Sequence, residues 1–458
     1  MRAVKIQPKN VEAKFNVDEI FFSSTDLKGI ILSGNRVFFD VAKYEPEELI
    51  GSPHNIVRHP DMPKTIFKLL WDYIKGKKPI VAYVKNLAKD GSFYWVVALV
   101  LPIIGKDGKI KKYLSIRVKP TSKYFEIIPG LYKKLKEVEN KYGVDDAISY
   151  LSEELEKLGF DSYDDFMYSV LREEILSKAD VLKVKSIDIY PKDEFSRAIY
   201  AIFKFAKDID NVYDEIYSKI GKLEEFGKIL KEKSEYIFNL TDNIRLISLN
   251  SSVESFKLGS DGASFSVLSA EMRKNSEVGN KIIEEMKNTT DEISIVLRNI
   301  VDSISISKLE IIAITQFLNE IINYGKDEHS GQSLCDLMYL LDKNSQEDMN
   351  LSYELNKLLQ DINENIKKLK ILIKRLEFLY LNGMVESAHQ TETSFSIIFT
   401  EVNKLVESTR SIVTEINNPL LEVIDENKKI FANIQKVSTD LDKIKKHLSA
   451  VNASCQTY

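Results

Sequence analysis

The chain has 458 residues, room for roughly two to four domains at the usual length per domain, and its 64 Lys and Arg against 69 Asp and Glu leave a net charge of −5. That balance excludes a nucleic-acid protein built on a basic face. A hydrophobic content of 44% with 29% charged residues excludes a disordered chain. Two cysteines, Cys335 and Cys455, and five histidines are too few for a disulfide framework or a Cys/His zinc site, which points to a reduced, cytoplasmic protein. The N-terminal stretch lacks the apolar segment of a secretory signal. The longest apolar run, 96–104, is nine residues and contains Pro102. A spanning helix needs about 20, so no membrane span is expected.

Prolines divide the chain: ten of 11 lie in the first 191 residues, and the eleventh is Pro419. The shift marks a boundary near Ser196. Before it, 19–24 and 29–33 read as strands and 37–44 and 45–50 as short helices. The helix over 62–75 carries Ile66, Leu69, Leu70 and Tyr73 on one face. Strands over 80–87, 92–104 and 110–118 follow, joined by Asp-Gly turns at Gly91 and Gly108. Residues 121–190 read as a helical connector broken at Gly143 and Gly159.

From about Asp208 onward the apolar positions keep the 3–4 spacing of long packed helices, as in Ile293, Leu297, Ile300 and Ile304, or Ile434, Val437, Leu441 and Ile444. An internal repeat lies within this half. Leu249, Asn250, Val253, Glu254 and Ser255 match Leu381, Asn382, Val385, Glu386 and Ser387 at an offset of 132. Ser264, Phe265, Ser266 and Glu271 match Ser394, Phe395, Ser396 and Glu401 at an offset of 130. The indel falls at a Gly-rich turn, so each copy reads as a hairpin of two long helices, with tips near 257–263 and 389–393.

The stretch GSPHNIVRHPDMP at 51–63, followed by VKNLAKDGSFYWV, resembles the PAS sensor domains of Aer-type aerotaxis receptors. The resemblance covers about 15–125. It implies a five-stranded antiparallel sheet with helices over one face, holding FAD non-covalently and reading redox state or oxygen. Carried over position by position, it points to Asn35, Arg58, His59, Trp71 and Asn86 as the flavin-binding residues. Their chemistry is compatible: a permanent cation for a pyrophosphate, an imidazole donor, a stacking face and amides for a ring edge.

The helical half resembles the signalling hairpin of methyl-accepting chemotaxis proteins. Residues 249–277 align with that tip without gaps, keeping Asn250, Glu254, Gly259, Gly262, Phe265, Val267, Glu271 and Arg273. Ser251, Ser252, Ser255, Phe256 and Lys257 depart from it, and the second copy has His389 and Gln390 where the tip glycines belong. In that family the tip contacts other receptors, the chemotaxis histidine kinase and its coupling protein, which are the partners implied. Glu284 and Glu285 are candidate methylation sites.

The expected architecture is an α+β PAS domain (15–125), a helical connector (126–195), and an all-α, coiled-coil-like bundle of two hairpins (196–330 and 331–458). The hairpins would pair within one chain as a pseudo-dimer, or between chains as a homodimer. No phosphate loop, nucleophile elbow or metal cluster is present, so no enzyme is expected. The leading reading is a flavin-dependent energy-taxis sensor signalling to the chemotaxis machinery. The alternative is a cytoplasmic adaptor or scaffold that no longer controls the kinase.

Overall fold

The computed structural model describes residues 6–178, 181–182, 193–389 and 395–451. Its order is that of an α+β domain followed by long helices. The strands are β1 (Phe21–Thr25), β2 (Ile31–Gly34), β3 (Ile80–Leu87), β4 (Phe93–Ile104) and β5 (Ile110–Val118). Between β2 and β3 lie α1 (Arg36–Ala42), α2 (Pro46–Leu49), a 3₁₀ turn (His54–Val57) and α3 (Lys64–Lys75). The strands form one antiparallel sheet in the order β2-β1-β5-β4-β3. Strand boundaries fall within two residues of those read from alternation and Asp-Gly turns. The 3₁₀ turn at His54 was not foreseen, because four residues are too few to show a helical period.

The chain divides into two compact units, one comprising 1–214, 302–347 and 435–458, the other 215–301 and 348–434. In the first, every residue of β1 is buried. In an antiparallel sheet that means both faces are covered. Odd-numbered side chains Ser23 and Thr25 turn toward α3, and even-numbered Phe22 turns away.

Helices of the same unit cover that second face. After β5 come α4 (Ile128–Tyr142), α5 (Val144–Lys157) and α6 (Tyr163–Ser177), with breaks at Gly143 and Gly159 as the sequence indicated. The Tyr132 hydroxyl donates to the Tyr83 carbonyl at 2.9 Å and the Tyr163 hydroxyl to the Val81 carbonyl at 3.0 Å, fastening α4 and α6 to β3. The buried Glu174 carboxylate accepts from the amides of Thr121 and Ser122 and pairs with Lys178, tying α6 to the exit of β5.

Four long helices follow: α7 (Glu194–Lys257), α8 (Ala263–Tyr324), α9 (Ser330–Ala388) and α10 (Phe395–Val451). Pro419 lies inside α10, where one i→i−4 hydrogen bond is lost. Residues of α8 and α9 in the first unit hold the β1, β2 and β5 side of the sheet. Phe317 meets Phe22 edge-on at 4.8 Å. Gln316 accepts from the Ile20 amide at 3.0 Å and donates to the Asp18 carbonyl at 2.7 Å. One turn later the Glu320 carboxylate accepts from the Arg36 amide at 2.7 Å and the Asn35 side-chain amide at 3.2 Å. From α9, Ser333 bonds Ser33 at 2.9 Å, Asp336 pairs with Lys112 at 3.1 Å, and Tyr339 donates to the Ile104 carbonyl. The turn between α8 and α9 closes at Gly325, whose φ of +85° favours glycine. Deeper in the unit Lys308 bridges Asp210 and Asp214 at 2.6 and 2.7 Å.

Burial pushes the Glu320 carboxyl up to about 7, against the hydrogen bonds from Arg36 and Asn35; Asp327 adds to the rise and the Arg36 charge opposes it. A carboxyl raised on folding adds stability that is fully present below the unfolded value, 4.5, and is lost as pH rises through about 7. Glu320→Gln is therefore expected to flatten the pH dependence of unfolding between pH 5 and 8 by up to about 2 kcal/mol. Chemical denaturation of both proteins at the two pH values checks this. Equal slopes would exclude Glu320 as the group responsible.

Cys335 is buried within α9. Cys455 lies outside the described residues. The second unit is a helical bundle whose core contains the expected apolar positions, among them Ile293, Leu297, Ile300 and Ile434, each no more than 4% exposed. The first hairpin turns through a 3₁₀ segment, Gly259–Gly262. Of the second tip, His389 is described, and 390–394, including Gln390, lie outside the described residues. Phe265 of α8 and Phe395 of α10 stack with ring centroids 3.8 Å apart and planes 8° from parallel. These two are repeat counterparts. Beside them the copies differ. In the first, Ser251 bonds Ser269 at 2.5 Å. In the second, the counterparts are Gly383 and Phe399, and a Cβ on Gly383 would come within 2.4 Å of the Phe399 ring. Glu284 and Glu285 are exposed, and Glu285 pairs with Lys368 at 3.2 Å.

Candidate functional site

A cavity of about 250 Å³ lies between the sheet and α3. Strand alternation supplies one wall: Ser23 and Thr25 of β1, Val84 and Asn86 of β3, Ala98 and Val100 of β4, and Tyr113, Ser115 and Arg117 of β5. The facing wall is the apolar side of α3, with Phe67, Leu70, Trp71 and Ile74. The 3₁₀ turn adds His54 and Asn55, and Arg58 follows directly. Trp71 meets Tyr113 edge-on at 5.8 Å.

Three cations and no carboxylate line this cavity: Lys28, Arg58 and Arg117. Lys28 and Asn55 are exposed and Arg58 is half-buried, so these mark its mouth. The Arg58 guanidinium lies 3.8 Å over the Phe67 ring, and burial lowers its pKa from the usual value. The charge of Glu139 opposes that shift, and its carboxylate accepts from the amide and hydroxyl of Thr65 at 3.1 and 2.9 Å. At the inner end Arg117 donates to Ser23 Oγ at 2.9 Å and to His54 Nε2 at 2.7 Å. Burial, helped by the Arg117 charge, lowers His54 to about 3. His54 is therefore neutral at pH 7, and accepting from Arg117 at Nε2 leaves its proton on Nδ1. Burial lowers Arg117 itself to about 10, so it stays charged.

Of the five residues singled out from the sequence, Arg58, Trp71 and Asn86 come together around this cavity. Asn35 and His59 are not among its lining residues. Asn35 accepts from the Phe22 amide at 3.0 Å and donates to the Ile20 carbonyl at 3.1 Å and to Glu320. His59 accepts from the Asp61 amide at 3.1 Å and faces Phe93. Its pKa is lowered by burial and by Lys85. Sequence reasoning passed over Arg117, His54, Ser23 and Tyr113. A signal was present for Arg117: a full charge at an inward-alternating position in the apolar strand LSIRV.

Residues 31–117 match the family profile described as the PAS fold. The N-terminal domain is a PAS domain. It is 42% identical over 118 residues to the aerotaxis receptor of Escherichia coli (strain K12), a match covering 26% of this chain and 23% of that protein. It is 28% identical over 96 residues to phototropin-2 of rice, Oryza sativa subsp. japonica, covering 21% of this chain and 10% of that one. Among solved structures, the light-state LOV domain of the blue-light photoreceptor Aureochrome1 is 19% identical, covering 24% of this chain and 88% of that one, with a TM-score of 0.22. This chain thus spans a quarter or less of the length of these curated relatives. Among the described residues no helix is long and apolar enough to cross a membrane.

Proposed function

We propose that this chain is a signal transducer whose PAS domain binds FAD and passes its redox or oxygen signal to a chemoreceptor-like helical bundle. One observation carries the reading: β1 lines the cavity with Ser23 and Thr25 and meets α8 through Phe22 and Phe317 on its other face. A change in hydrogen bonding at the cavity would thereby act on a helix packed against the opposite face of the same strand.

The residues present fit a flavin. The walls are apolar and aromatic, Asn86 and Asn55 offer amide donors and acceptors, and cations replace carboxylates. At about 250 Å³ the cavity is smaller than the usual range for a whole cofactor, about 300–1,000 Å³. The ring end would be enclosed and the phosphates would remain at the mouth, near Arg58 and Lys28. A bound flavin supplies one- or two-electron chemistry; the chain's residues orient it and exclude water.

The helical half is read as two hairpins, 196–330 and 331–458, folded on each other as an intramolecular pseudo-dimer, with 15–125 as sensor and 126–195 as connector. Contact between repeat counterparts Phe265 and Phe395 is what a local two-fold relation produces. Leu249, Val253 and Val267 are 45–65% exposed, and their counterparts Leu381, Val385 and Ile397 are 53–65% exposed. The same apolar surface twice over supports docking to other chemoreceptor bundles, or to the chemotaxis kinase and its coupling protein. The missing glycines of the second tip favour the alternative, an adaptor that has left kinase control.

The test is the visible absorption spectrum of the purified chain, with and without added FAD. Flavin absorption is expected in the wild type, and Arg58→Ala should weaken FAD binding at least tenfold, about 1.4 kcal/mol. A chain that takes up no FAD would sink the flavin part and leave the PAS domain as a module for another small ligand.

A further inference from the structure

The inner end of the cavity holds a cation without a counter-charge. Arg117 is 4% exposed, and its Nη1 has no hydrogen-bond partner among the described residues. Its surroundings do not neutralise it. His54 is neutral, Phe21 and Phe38 present rings 5.8 and 5.2 Å away, and the buried Tyr94 phenol is held un-ionised by desolvation. Burying a guanidinium without an anion costs more than such ring contacts return. Nor does the fold require this charge, because Ser23 Oγ lies 3.1 Å from His54 Nε2 and each can serve the other. A donor that the fold leaves unused, on a side chain that lines a cavity free of carboxylates, is explained by what enters the cavity.

We propose that Arg117 is the inner anchor of the ligand, donating from Nη1 to a carbonyl or anionic nitrogen on its buried edge, while Arg58 serves the ligand's exposed anionic end. The inference rests on the flavin reading and deepens it: the carbonyl-bearing ring edge faces Arg117 and the phosphates face Arg58. The two arginines therefore read different parts of one ligand. Riboflavin, which has the ring and lacks the phosphates, separates them.

The experiment titrates the purified full chain with riboflavin and with FAD by fluorescence quenching, and records thermal unfolding without ligand. Arg117→Met is expected to weaken both ligands by at least tenfold, whereas Arg58→Ala weakens FAD alone. Without ligand, Arg117→Met should unfold at the same temperature as the wild type or higher, since a buried charge has been removed. Arg117→Lys keeps the charge and should retain more of both affinities than the Met variant. Loss of FAD binding with riboflavin unaffected would assign Arg117 to phosphate and overturn the inference, as would equal losses in the Lys and Met variants. An Arg117→Met protein that is destabilised or fails to fold would make the residue structural, with the same consequence. A wild type that binds neither flavin overturns the flavin reading itself, an outcome distinct from one in which only the variants misbehave.

Discussion

Phe395→Ala is expected to destabilise the bundle by about 3–5 kcal/mol, the range for truncating a fully buried aromatic. Phe395 is 1% exposed and its ring lies against Phe265, which is 0% exposed. Phe399 also stacks on both, at 6.4 and 6.3 Å, so partial collapse into the void is restricted. A double-mutant cycle with Phe265→Ala should show a coupling of about 0.5–1.5 kcal/mol. Denaturant unfolding of the four proteins measures both quantities. Additive losses would mean that the two counterparts do not pack on each other in solution, and the pseudo-dimer would lose its main support.

The second large effect is electrostatic. Lys308 is 6% exposed and is shared by Asp210 and Asp214. Lys308→Met leaves carboxylates without that cation in a low-dielectric environment, for an expected loss of about 3–5 kcal/mol. Lys429 provides the contrast. It pairs with Asp425 at 2.7 Å, but the two side chains are 50% and 65% exposed, so Lys429→Met should cost far less than Lys308→Met. Comparable losses in the two variants, by the same denaturant assay, would show that burial at Lys308 does not govern the strength of its pairs.

The sheet was legible in the sequence because its signals are local. Alternation set the faces, and two Asp-Gly pairs set the hairpins. The long helices were legible for the same reason, since Ile293, Leu297, Ile300 and Ile304 keep a period that survives any tertiary context. The cavity was half legible. Trp71 and Arg58 sit in a recognisable stretch, but Arg117 arrives from β5, 59 positions beyond Arg58, and only sheet pairing brings them to one space. Asn35 shows the opposite limit. Its chemistry suits a ligand amide as well as a carboxylate from another element, and Glu320 is 285 positions away. No local pattern distinguishes those partners.

The turn between α8 and α9 has a kinetic consequence. Five residues, 325–329, separate the two helices. Pairing of two hairpins across so short a connection is a first-order event, governed by loop closure rather than by encounter between molecules. Two separate subunits would fall apart on dilution and could exchange partners with related chains. A pair joined at this turn would do neither, so the proposed pseudo-dimer would hold together whatever the abundance of the chain. It could also carry a Gly383 and Phe399 arrangement on one side only, a mismatch that random assortment of identical subunits would place on both.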